Sequence, residues 1–139
     1  MQFIDDAEFQ INIDLDNGAR ISSLLWRDMQ ITVPFRGSLL NYGWYALGPW
    51  AGRIRDGLIK DSSGKVFELP TNIDPPNAIH GFGFTSSWQD IGPGRALLEL
   101  PAPYTSKSGS ATLEQRIEVL DDAIRWSLEY DPNGCELPA

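Results

Sequence analysis

This sequence is poor in cysteine, in histidine and in positive charge. Of its 139 residues one is a cysteine, Cys135, and one is a histidine, His80. A lone cysteine excludes an intrachain disulfide, and no cysteine or histidine cluster is present to hold zinc. Sparse cysteine also fits a reducing compartment. Eleven Lys and Arg stand against 19 Asp and Glu, for a net charge of −8. Nucleic acid and anionic membranes both reward a basic face, so neither is expected as the main partner. No apolar run approaches the length of a membrane span, and the start, Met1-Gln2-Phe3-Ile4-Asp5-Asp6, lacks the pattern of a secretory signal. The cytoplasm is the expected location. There is no Gly-x-Gly-x-x-Gly, no P-loop lysine motif and no metal-type histidine pairing, so no cofactor and no metal are expected.

What remains is an ordinary globular composition, 42% apolar and 22% charged. The length fits one domain, residues 1–139, able to bury roughly two-thirds of its unfolded surface. Its periodicity is two. Phe9 to Leu15 alternates apolar and polar, Asp16-Asn17-Gly18 is a turn signal, and Ala19 to Trp26 reads as the returning strand of a hairpin. Further strands are expected at 29–35, 58–60, 66–69, 84–91, 95–100, 112–120 and 123–130. A polar loop is expected at 101–110. No segment reads as a long helix. Short strands punctuated by glycine and proline predict an all-β, antiparallel sandwich or barrel.

Residues 36–57 break this pattern. Gly37, Gly43, Gly48, Gly52 and Gly57 are interleaved with Tyr42, Trp44, Tyr45 and Trp50. Long aromatic loops on a rigid scaffold tend to carry function. Any one of the five tryptophans is more commonly a core filler. The sharper expectation is that Trp44 or Trp50 walls a ligand site. Arg53 and Arg55 follow, in a turn bounded by Gly52 and Gly57. Downstream, a proline-rich loop from Pro70 to Asn77 delivers His80, with Gly81 and Gly83 allowing close backbone approach. If the two segments meet, a guanidinium and an imidazole share one aromatic-lined cleft, a combination suited to a neutral, hydroxyl-rich ligand. Taken singly, an arginine is more often a surface charge and a histidine a structural group. Asp56, Asp74 and Asp90 lie nearest in sequence, and spacing assigns none of them as a base.

Three linked motifs carry a resemblance. Gly18-Ala19-Arg20-Ile21-Ser22-Ser23-Leu24, then Pro49-Trp50-Ala51-Gly52-Arg53-Ile54-Arg55-Asp56-Gly57, then Asn77-Ala78-Ile79-His80-Gly81 with Trp88 after it, resemble the N-terminal half of the aldose 1-epimerase (galactose mutarotase-like) family. The resemblance implies part of a large antiparallel β-sandwich. It also implies interconversion of sugar anomers by ring opening, with a carboxylate base at the anomeric hydroxyl and a histidine acid at the ring oxygen. On this resemblance Arg53 and Trp50 are substrate-binding, and His80 is substrate-binding and a candidate catalytic group. Arginine suits the role because it offers several donors in a fixed fork. Many relatives have asparagine before that arginine, where this chain has Gly52.

Family members run to about twice this length, the upper range for one sandwich. Their second histidine, a substrate-binding aspartate and the catalytic glutamate have no counterpart among these residues. Three readings follow: an epimerase with an incomplete site, a carbohydrate-binding protein without the acid–base pair, and an assembly remnant. Half a sandwich is expected to leave open sheet edges, and a homo-oligomer, a symmetric dimer, is expected to cover them.

Overall fold

The computed structural model describes all of residues 1–139. Fourteen short strands and two 3-10 turns form, and no α-helix. In chain order the strands are β1 (Gln2–Asp5), β2 (Phe9–Asp14), β3 (Arg20–Trp26), β4 (Met29–Gln30), β5 (Arg53–Ile54), β6 (Leu58–Lys60), β7 (Val66–Glu68), β8 (Ala78–Ile79), β9 (Gln89–Gly92), β10 (Arg95–Glu99), β11 (Thr105–Ser106), β12 (Gly109–Ser110), β13 (Thr112–Val119) and β14 (Ile124–Asp131). The all-β, antiparallel expectation holds. No helix is long and apolar enough to cross a membrane. The chain forms two compact units.

The first unit comprises Met1–Ala46, Gly83–Leu98 and Glu114–Glu129. Its N-terminal sheet has the order β1-β2-β3-β4. The alternation in β2 puts Phe9, Ile11 and Ile13 inward, and Ile11 pairs with Leu24 of β3. Burying side chains of this kind contributes about 1.5–3 kcal/mol each. The β2–β3 turn follows from its sequence. The Asp14 carboxylate accepts from the Asp16 N–H, and Gly18 takes the left-handed conformation at φ 86°. Only glycine fits there, because a Cβ would stand 2.4 Å from the Phe84 carbonyl oxygen. A second sheet has the order β14-β13-β10-β9.

Several expectations about this unit need correction. The strand expected at 29–35 stops at Gln30. Beyond it the Leu24 N–H bonds the Thr32 hydroxyl rather than a main-chain carbonyl, so a side chain ends the ladder. The strand expected at 84–91 is confined to Gln89–Gly92. Residues before it turn around Trp88, whose main-chain N–H bonds Leu15 O and whose indole N–H bonds Gly83 O. Strand β1 is an addition. Its pattern is inverted for a sequence reader, with Phe3 59% exposed and Gln2 buried. The Gln2 amide donates to Asp90, Gly92 O and Arg95 O, which makes a polar residue fit an interior position.

The second unit comprises Leu47–Phe82, Glu99–Leu113 and Tyr130–Ala139. It holds three two-stranded ribbons, β5–β8, β6–β7 and β11–β12. The last lies within the stretch expected to be loop. Its core includes Ile59, Leu69, Leu100, Tyr104, Leu113 and Leu137. Tyr104 is fully buried, and its hydroxyl donates to Pro138 O at 2.9 Å.

Candidate functional site

The arginine segment and the histidine loop meet, within the second unit. Strand β5 pairs antiparallel with β8, Arg53 opposite Ile79 and Ile54 opposite Ala78. Main-chain bonds then lace the flanking residues together. The His80 N–H donates to Gly52 O at 2.9 Å and the Phe82 N–H to Gly48 O at 2.8 Å. Both glycine motifs are needed for this approach. Gly81 stands so close to Gly48 that a Cβ would lie 2.0 Å from the Gly48 carbonyl oxygen. His80 itself sits at φ 59°, a left-handed conformation in which histidine is several-fold enriched among side-chain-bearing residues.

The imidazole is oriented by the main chain. The Gly52 N–H donates to His80 Nδ1 at 3.1 Å, so Nδ1 is an acceptor and Nε2 carries the proton of the neutral ring. Half-burial lowers the His80 pKa, the Arg53 charge lowers it further, and Asp74 acts in the opposite sense. All three groups belong to one cluster. Arg53 Nε donates to Asp74 Oδ2 at 2.5 Å while the arginine side chain remains 60% exposed. Asp74 is held in turn by a tight turn, its carbonyl accepting from the Asn77 N–H. Its carboxylate positions the guanidinium and leaves the two terminal nitrogens pointing to no protein acceptor.

Trp50 belongs to an aromatic cluster of the same unit. Its ring stacks on Tyr104 at 6.1 Å and meets Phe82 edge-on at 5.5 Å. It is 9% exposed, and its indole N–H is buried without an acceptor. Trp44 belongs to the first unit, as does Asp90, which is engaged by Gln2. Asp56 is exposed on the turn after β5. Gly52 has φ 76°, and a Cβ placed there would meet nothing within 4 Å. Asparagine tolerates that conformation, so glycine here keeps the turn and omits a polar side chain. No group of histidine, cysteine and carboxylate side chains has the arrangement of a metal site.

Sequence reasoning names Asp74 without a role, and it does not single out Tyr104. The Arg53–Asp74 pair joins residues 21 apart. A polar turn ending in Asn77 gives no local sign of which side chain turns back.

No protein-family profile matches this sequence, and no curated protein matches it. Solved structures do. One is the crystal structure of a "Putative aldose 1-epimerase" from Escherichia coli K12, which superposes with a TM-score of 0.69 over 91% of this chain at 17% identity. The chain has an aldose 1-epimerase-like fold. At that identity the likeness is one of fold alone. The epimerase-like chain spans 44% of the length of that protein, consistent with an N-terminal half.

Proposed function

We propose that this chain is a mutarotase-like carbohydrate-binding protein whose second unit holds an aldose. The observation that carries the reading is the joining of Arg53 and His80 through paired strands. The Arg53 terminal nitrogens are donors for sugar hydroxyl and ring oxygens, in an orientation fixed by Asp74, and the His80 ring stands in the same cluster with its Nδ1 held by the Gly52 N–H. Trp50, expected to wall the site, is 9% exposed and packed on Phe82 and Tyr104, so it serves as core support and offers no stacking face to a sugar. His80 held neutral is a hydrogen-bonding group, and to serve as the acid in ring opening it must first take up a second proton, which its lowered pKa opposes.

Acid–base exchange needs a carboxylate to take the anomeric proton, and the carboxylate held in this cluster, Asp74, is paired with Arg53. Binding is therefore the reading, and anomerisation by this chain alone is its extension. Calorimetric titration with glucose and galactose tests binding. Heat is expected from the wild type and is expected to vanish in Arg53→Ala and His80→Ala. Equal heats in all three, or none in the wild type, would overturn the sugar reading. Polarimetry on fresh α-glucose tests the extension: a rate equal to buffer confines the chain to binding.

A second reading, self-association through an open sheet edge, is favoured by β14, which has no neighbour on its outer side.

A further inference from the structure

We infer that β14 pairs antiparallel with β14 of a second copy, about a two-fold axis through Ser127. The inference rests on the self-association reading and is independent of the sugar reading. Strand β14 is the outer strand of its sheet and runs for eight residues, IRWSLEYD. It has none of the proline or lysine that blunts natural edges. Leu128 on it is 41% exposed.

The occupant is identified by charge. Arg125, Ser127 and Glu129 share one face, where with Glu114, Arg116 and Glu118 they line a groove of about 320 Å3. Glu129 makes no ion pair in its own chain, and Arg125 reaches Glu118 only at 4.0 Å. The strand is a palindrome in chemistry. With Ser127 opposite Ser127, Arg125 faces Glu129 of the copy, twice by symmetry, and Trp126 faces Leu128, twice. A one-residue slip destroys the match, because Trp126 would face Glu129 and Ser127 would face Leu128.

The hydrogen-bond phase agrees. The β13–β14 hairpin closes with the Leu120 N–H on Ala123 O at 2.8 Å. Counting in twos from Ala123, the main-chain groups of Arg125, Ser127 and Glu129 turn towards β13, and those of Trp126 and Leu128 turn outward. In the two-fold pairing Trp126 and Leu128 exchange main-chain bonds across the axis. Ser127 then meets its copy as a non-hydrogen-bonded pair, with Cα atoms about 4.5 Å apart.

Light scattering behind size exclusion, at micromolar concentration, is expected to give twice the 15.5 kDa chain mass. Arg125→Glu or Glu129→Arg alone sets like charges opposite each other twice and weakens the dimer roughly tenfold. The two changes together swap the charges and restore it. Ser127→Cys with Cys135→Ser is expected to form a disulfide-linked dimer on mild oxidation, because about 4.5 Å lies within disulfide reach. Ser87→Cys in the same background is expected not to cross-link. A monomer overturns both this inference and the self-association reading. A dimer indifferent to the charge reversals, and not cross-linked through position 127, overturns the β14 interface while leaving self-association standing.

Discussion

Arg20 in the first unit and Arg53 in the second use the same side chain in opposite ways. Arg20 is fully buried. Its guanidinium donates to the carbonyls of Asn17, Leu39, Tyr42 and Phe84, and lies 4.3 and 4.8 Å from the ring centroids of Tyr42 and Tyr45. Burial pushes its pKa down, with the charge kept because arginine does not deprotonate in proteins. Four carbonyls and two rings replace its water. Those carbonyls come from the β2–β3 turn, the glycine-rich loop and the segment before Trp88, so one cation pins three irregular stretches. Arg53 has a single carboxylate partner and most of its surface in water. The first arginine is consumed by the fold. The second is presented by it.

Arg20→Ala is the strongest way to break this comparison. It leaves four carbonyls without their donor, at about 1 kcal/mol or more each, so urea unfolding is expected to show a loss of about 4 kcal/mol. Arg53→Ala is expected to change stability by less than about 1 kcal/mol, as exposed ion pairs do. Comparable losses for the two would erase the distinction.

The glycines give a second pair. Gly81→Ala must displace the Gly48 main chain and also holds φ 71°, for an expected cost of about 2–4 kcal/mol. Gly52→Ala has open space at φ 76° and is expected to cost only about 1–2 kcal/mol. Thermal unfolding separates them, and equal costs would mean that the close approach of the two motifs is not what Gly81 serves. Gly52→Asn is expected to fold normally and to strengthen any sugar heat by adding a polar group beside Arg53.

The smallest expected effect is one of pH. The folded pKa of His80 lies below its usual 6.5 because of burial and Arg53. The unfolded chain therefore binds this proton first as pH falls. His80 stabilises the fold fully above about pH 6.5, and this contribution declines as pH drops through that value towards the lower folded pKa. His80→Gln is expected to flatten the fall in melting temperature between pH 7 and 5. A fall of unchanged steepness would assign it to carboxylates instead.

The legible part of the molecule was local. The β2–β3 hairpin followed from alternation and Asp-Asn-Gly, and the late hairpin of β13 and β14 from alternation around Asp121-Asp122. Arg53 and His80 were legible as candidates through their glycine-rich surroundings. Gln2 and Gln115 were not legible as interior residues. Each is buried because its amide reaches main-chain carbonyls far along the chain, Gln115 donating to Ala19 O across 96 positions. Nor was Arg20 legible as an interior residue, since an arginine beside alanine after a turn signal reads as a surface charge.

The sequence by itself determined the strand period, the turns and the all-β class, because these depend on side-chain alternation and on backbone conformations that only a few residues adopt. Tertiary structure decided which arginine is buried and which is exposed, which carboxylate turns towards Arg53, and which imidazole nitrogen holds the proton. Those outcomes depend on what the rest of the chain places within hydrogen-bond distance, and hydrogen bonds extend only about 3 Å.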